Sequence, residues 1–320
     1  MINEKRLLDT FIGYAMIDSE TKNEKAMGEK LVEDLKALGL EVKTDKAGEG
    51  FGSNGFNVCA YLPGTIPGEP TIMCAHMDTV TPGNGIKPLI DDGIIHTDGS
   101  TILSGGDKSG IAAIMEAVKV IKEQNLPCRN TEILFTIGEE GGMNGVKNMD
   151  LSMIKGKEAM VFDASGDVGK ILTCGPGQIK IFGRSSHAGL APEEGISAIQ
   201  VAAKGIAKMN LLRIDEETTC NIGTLKAEYA TNIVPEKAEF VAEVRSRNLD
   251  KLNAQAAHIQ KCLQDACDEM GAKLEIELKT NYVSFNVAND DPMVQRVFES
   301  CKRIGCEPMT AKGGGGSDAN

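Results

Sequence analysis

Residues 71–110 read TIMCAHMDTVTPGNGIKPLIDDGIIHTDGSTILSGGDKSG. The first six form a short, apolar, β-rich run, the pattern of a buried strand. His76, Met77 and Asp78 stand at its end. Alternate side chains of a strand share a face, so His76 and Asp78 can meet. That pairing is how a metal-binding histidine is held: the ion takes one ring nitrogen, and the carboxylate accepts the proton on the other and fixes the tautomer. A lone His-x-Asp equally suits a structural histidine, and the rest of the chain decides between the two.

Outward from this stretch, polar residues gather after two more apolar runs. Ile133 to Ile137 reads as a buried strand ending in Gly138-Glu139-Glu140-Gly141-Gly142. Ala159 to Phe162 reads as another, ending at Asp163. In open α/β sheets, ligands bind outside the carboxyl ends of the strands. Adjacent strand residues face opposite ways, so Glu139 and Glu140 can serve one site only if the glycine-flanked end bends. One could then ligate a metal while its neighbour takes a proton from water. One histidine and several carboxylates on successive strands suit a zinc pair with a bridging water.

The remaining periodicities supply the frame. Apolar residues at helical spacing predict a helix over 3–16. Ser19, Thr21 and Asn23 offer caps for a second helix, which runs to about Leu38 and ends at Gly39. Short strands are expected at 41–43, 57–62 and 93–97, and a helix from Gly110 to about Lys122. After Gly175 the pattern becomes strand (178–183), helix (195–210), strand (220–228), strand (238–247), helix (249–270) and strand (273–279). That is the order of a ferredoxin-like sandwich, read as an insertion over 177–283 into a first domain made of 1–176 and 284–320. An exposed helix or edge strand on such a unit is a natural dimer surface. A last helix, with Asp290 or Asp291 as cap and Pro292 in its first turn, runs to Gly305 and returns to the first domain.

The chain has 320 residues, enough for two domains. Its net charge of −12 argues against nucleic acid and anionic membranes as partners. Nine cysteines without a Cys-x-x-Cys pattern, and a start lacking the layout of an export signal, read as reduced thiols in a cytoplasm. No apolar run approaches the ~20 residues of a membrane span.

Seven segments, AHMDTVTPG (75–83), TDGSTILSGGDKSGIAAI (97–114), FTIGEEGG (135–142), VFDASGDVG (161–169), GRSSHAGLAPEEGISAI (183–199), ATNIVPEKAEFVAEVRSRN (230–248) and GGGGSDAN (313–320), occur in the order found in the zinc peptidase family that includes peptidase T. The chain resembles the peptidase T-like branch most. The resemblance implies an α/β zinc exopeptidase-type catalytic domain with an inserted ferredoxin-like α+β dimerisation, or lid, domain. It implies two zinc ions, a short peptide substrate, and a homodimer through the insert. His76 and Asp163 would bind one zinc, with Asp78 orienting the histidine. Glu140 would bind the other zinc, and Glu139 would be the general base. His187 would reach a substrate carbonyl across a dimer interface, and Asn232 and Arg245 would hold the peptide backbone or carboxylate; a guanidinium can grip a carboxylate bidentately.

Two departures follow from the same alignment. The position of the family's bridging aspartate is Gly106, and Asp107 is expected to take over as metal ligand if the loop shifts by one residue. The family's last zinc ligand is a histidine in a segment beyond Asn320, so the chain is expected to stop mid-fold. His96 and His258 match no family motif and read as structural or exposed. The expected activity is a zinc-dependent aminopeptidase acting on short peptides. The rivals are an amide hydrolase of N-acyl amino acids on the same scaffold and a peptide-binding or dimerising protein that has lost its metal.

Overall fold

The computed structural model describes residues 2–163, 176–246, 248–278, 287–310 and 317–319. The chain divides into two compact units: Met1–Val168 with Asp290–Pro308 and Ser317–Ala319, and Gly169–Asn289 with Met309–Gly316 and Asn320.

The first unit starts with α1 (Glu4–Ala15) and α2 (Lys25–Ala37). Asn3 caps α1 by accepting from the Arg6 N–H at 3.0 Å. Then come β1 (Glu41–Thr44), β2 (Val58–Leu62), β3 (Ile66–His76), β4 (Leu89–Asp91), β5 (Ile94–His96), α3 (Gly105–Glu123), β6 (Arg129–Thr136), a single turn α4 (Asn144–Lys147) and β7 (Glu158–Val161). The main sheet has the order β1-β2-β6-β3-β7. β1, β2 and β6 pair antiparallel, whereas β3 runs parallel to both β6 and β7.

Period-two alternation splits β3 between two cores. Ala75 faces the larger core, filled by Phe11, Leu31, Leu35, Ile111, Met115 and Phe135 among others. Ile72 and Cys74 face a smaller one with Cys59, Leu134 and Met153. His76 shares the parity of Cys74, at the rim of the smaller core.

Two expectations shift. α2 is preceded by Glu24, not capped by Ser19, Thr21 or Asn23. Ser19 donates instead to the Met77 carbonyl (2.8 Å) and Thr21 to Asp78 Oδ2 (2.8 Å), so these hydroxyls tie the loop to the end of β3. α3 begins at Gly105 rather than Gly110, with Gly106 (φ −92°, ψ 112°) and Asp107 (φ −117°, ψ 25°) outside helical geometry.

The second unit contains β8 (Pro176–Phe182), α5 (Ala198–Ala207), β9 (Leu212–Arg213), β10 (Thr218–Lys226), β11 (Lys237–Ser246), α6 (Leu249–Met270) and β12 (Lys273–Leu278). Its antiparallel sheet has the order β12-β8-β11-β10-β9. Apart from the two-residue β9, the element order is the β-α-β-β-α-β expected of a ferredoxin-like unit. α5 and α6 pack their apolar stripes (Val201, Ala202, Ile259, Leu263, Ala266) on Ile179, Ile181, Ala238 and Phe240 of the sheet. Asn248 caps α6, and Gly271 at φ 72° ends it. The chain continues into α7 (Pro292–Arg303) of the first unit, capped by Asp291 with Pro292 at its first position, as the sequence indicates.

Candidate metal centre

The register of the parallel strands brings the polar residues together. His76 pairs with Thr136 of β6, and Cys74 pairs with Val161 of β7. The Phe162 N–H donates to the Cys74 carbonyl at 2.8 Å and carries the ladder one step further. Asp163 therefore lies level with His76, and the Glu-Glu turn starts just past Thr136. His76 Nε2 lies 3.7 Å from Asp163 Oδ1 and 3.9 Å from Glu139 Oε2. The ligating atoms of His76, Glu139 and Glu140 all lie within 4.8 Å of one another.

The bend that Glu139 and Glu140 require is supplied by Gly138, at φ 64°. Asp78 holds the turn from below. It is fully buried, its Oδ1 accepts from the Glu139 N–H (2.9 Å), and its Oδ2 accepts from the Glu140 N–H (3.1 Å) and the Thr21 hydroxyl. Its Oδ1 also lies 3.3 Å from His76 Nδ1, out of line for a hydrogen bond, so that buried nitrogen has no hydrogen-bond partner. Asp78 thus faces both the histidine and the glutamates, whereas its expected task concerned the histidine alone.

Packing several carboxylates around one imidazole distorts their titration. Burial pushes Glu139 up to about 8; His76 counters, while Asp163, Asp318 and Glu140 add to the rise. Burial raises Asp107 to about 8, again against the pull of His76 and with the push of Asp163. Glu140 is raised too, by burial first. For His76 burial acts downward, but Asp163 and Asp78 outweigh it and hold the ring well above its ordinary range. A negative cluster of this kind is relieved by a cation, and imidazole plus carboxylate oxygen is a donor set that suits zinc. His76 Nε2 aimed at Glu139 and Asp163, with the other nitrogen over Asp78, fits an ion on the Nε2 side.

Asp107 does not join the donor group. Its Oδ2 accepts from the His76 backbone N–H at 3.2 Å, and its carboxylate also serves the Gly110 N–H. A Cβ on Gly106, the position of the family's bridging aspartate, would meet nothing within 4 Å.

His187, Asn232 and Arg245 lie in the second unit. His187 and Asn232 are exposed neighbours: the Ala188 N–H donates to the Asn232 carbonyl, and His187 Nδ1 accepts from the Gly189 N–H at 3.1 Å. The Arg245 guanidinium is gripped bidentately by Glu243, at 2.8 and 2.9 Å. His96 pairs with Asp91 across the β4–β5 hairpin (2.6 Å), and His258 on α6 accepts from the Asn210 N–H.

Sequence reasoning missed Asp318. Its Oδ2 accepts from Thr136 Oγ1, its Oδ1 is buried without a partner, and its charge bears on Glu139.

Residues 57–187 match the model of Peptidase family M28, and residues 175–271 that of the Peptidase dimerisation domain. An uncharacterized Bacillus subtilis protein, YqjE, is 41% identical over 100% of this chain and 87% of its own length. The crystal structure of aminopeptidase PepT from Bacillus cereus is 42% identical, with a TM-score of 0.83 over 100% of this chain and 87% of that one. The chain belongs to the peptidase T-like family. A tripeptidase from Staphylococcus aureus superposes with a TM-score of 0.90 at 38% identity, covering 99% of this chain and 86% of the other. As a peptidase T-like protein the chain is a hydrolase of the metallopeptidase class, built from an α/β fold with a dimerisation domain. Among the described residues no helix is long and apolar enough to cross a membrane.

Proposed function

We propose that this chain is a zinc-dependent aminopeptidase that releases the N-terminal residue of short peptides, tripeptides foremost. The observation that carries the reading is the convergence of His76, Glu139 and Glu140 over Asp78 at the ends of parallel strands. The substrate class rests on the relatives described as a tripeptidase and an aminopeptidase.

In this reading His76, Glu140 and Asp163 hold the ion, and Glu139 is left for proton transfer. When bound, the metal polarises the scissile carbonyl and lowers the pKa of water. An adjacent positive charge favours an ionised Glu139 near neutral pH, ready to take a proton from the attacking water. The same carboxyl then returns the proton to the leaving amine. Asp78 keeps the Glu139 and Glu140 amides in place throughout and faces the His76 ring.

His187, Asn232 and Arg245 are assigned to the substrate, with Arg245 exchanging Glu243 for a substrate carboxylate. The residues matching the dimerisation domain support a homodimer, and the acidic chain and its unpatterned cysteines support a cytoplasmic site of action. The resemblance calls for two zinc ions; His76, Glu140 and Asp163 supply ligands in this reading, and Asp107 is the further carboxylate expected to serve them.

The test is a panel of tripeptides, dipeptides, N-blocked tripeptides and N-acyl amino acids, run with and without zinc. Zinc-dependent turnover of free tripeptides and none of N-blocked ones is expected. Turnover of N-acyl amino acids in preference to tripeptides would replace this reading with the amide hydrolase.

A further inference from the structure

Four successive backbone N–H groups, Ile137 to Glu140, each end on a side-chain oxygen. Ile137 donates to Asn57 Oδ1 (3.1 Å), Gly138 to Glu24 Oε1 (3.1 Å), and Glu139 and Glu140 to the two oxygens of Asp78. Three of these four amides are thus held by two buried carboxylates, Glu24 and Asp78, both 0% exposed. With the amides held, the Glu139 and Glu140 side chains meet His76.

The Glu24 carboxylate does not serve its own helix. It precedes α2 without any side-chain capping bond, and the Lys25 N–H is satisfied by Asn54 Oδ1 instead. Its Oε1 accepts from Lys22 (2.9 Å) as well as Gly138, and its Oε2 from the Ser53 hydroxyl (2.5 Å). A buried carboxylate is costly unless its hydrogen bonds are filled, and that of Glu24 joins its own loop at Lys22 to the Ser53 loop and the glutamate turn. A side chain is excluded at Gly138 itself, where a Cβ would come within 2.8 Å of the Phe51 ring.

We propose that Glu24, steadied by Ser53, is a positioning residue that fixes the metal-site geometry of Glu139 and Glu140 through the Gly138 amide. The proposal rests on the metallopeptidase reading above. Outer partners of metal ligands typically govern roughly 10–100-fold in metal affinity. Glu24→Gln keeps an acceptor oxygen for Gly138 and Lys22, and its amide can donate to Ser53 Oγ. Glu24→Ala keeps nothing.

The experiment measures zinc affinity by competition with a chromophoric chelator, kcat and KM on a tripeptide, and amide hydrogen exchange at residues 138–140. In Glu24→Ala the zinc Kd is expected to rise by about 10–100-fold, with kcat falling more than KM rises and the three amides exchanging faster. Glu24→Gln is expected to restore most of the affinity, and Ser53→Ala to show a smaller loss in the same direction. A Glu24→Ala protein with a lowered melting point but a zinc Kd within about twofold of wild type would overturn the proposal, leaving Glu24 a support for α2 alone. If Glu24→Ala does not fold, Ser53→Ala decides: unchanged zinc affinity and kcat overturn the proposal. A wild type without zinc affinity refutes the metallopeptidase reading itself, which is distinct from a wild type that binds zinc and a Glu24 variant that binds it equally well.

Discussion

Asp78→Asn removes one oxygen from the most heavily used carboxylate of the site. Asp78 is fully buried and accepts from two backbone amides and one hydroxyl. Burial acts to raise its pKa, yet the neighbouring His76 ring, together with Thr21 and the Glu139 amide, holds it below the ordinary range, so it stays ionised. An asparagine can keep its oxygen on the Glu139 N–H. Its amide group then faces the Glu140 N–H, donor against donor, while the Thr21 hydroxyl can turn and accept. The loss is one hydrogen bond to a charged group, ~1.5–3 kcal/mol, and a part-buried donor left unpaired, at most ~1–3 kcal/mol. Partial relaxation of the turn sets the expectation at about 3 kcal/mol, or roughly 6–12 °C in melting temperature for a unit of this size. Denaturant titration and thermal melts of metal-free wild type and variant measure it directly. The zinc Kd should rise by ~10–100-fold alongside. A variant within about 0.5 kcal/mol of wild type would refute the claim that Asp78 holds the glutamate turn.

Glu139→Gln should retain zinc while losing at least ~100-fold in kcat, the usual scale for a lost proton-transfer group; equal losses of zinc and turnover would make Glu139 a ligand instead. Gly106→Asp has open space at its Cβ and an ordinary negative φ, so it should fold and raise the metal bound per chain, read by elemental analysis; unchanged metal content would show that position 106 does not face the ion. Stability of the metal-free protein should fall as pH rises from about 5 to 8. The unfolded chain ionises Asp107 and Glu139 at ordinary carboxylate values, whereas the folded chain keeps their protons up to about 8, so the fold binds more protons across that window. The raised His76 acts with the same sign. Melting at pH 5.5 and 8.0 checks the slope, which added zinc should remove; a melting point higher at pH 8 without metal would contradict it.

The strands that carry His76, Glu139 and Asp163 were legible because an apolar run ending in a polar cluster is a local pattern. The order of the second unit was legible for the same reason, since its periodicity switches cleanly between two and 3.6. What stayed hidden is tertiary. Thr21 looks like a helix cap in sequence, and only the fold shows that its hydroxyl serves Asp78, 57 residues away. Glu24 is an unremarked residue of a helix start until Gly138, 114 residues on, is placed beside it. That Asp107 reaches the His76 amide, 31 residues away, could not be told from spacing either. Asp318 needed the long return of the chain to Thr136.

The most direct test of the account is a zinc titration of the metal-free chain, followed by release of the N-terminal residue from a tripeptide. Turnover that is absent without metal, rises with zinc and saturates at a fixed ratio of zinc to chain, and is abolished together with zinc binding in His76→Ala, is the expected result. Hydrolysis that persists in chelator, or zinc binding that His76→Ala leaves intact, would contradict a metal centre at the ends of these strands.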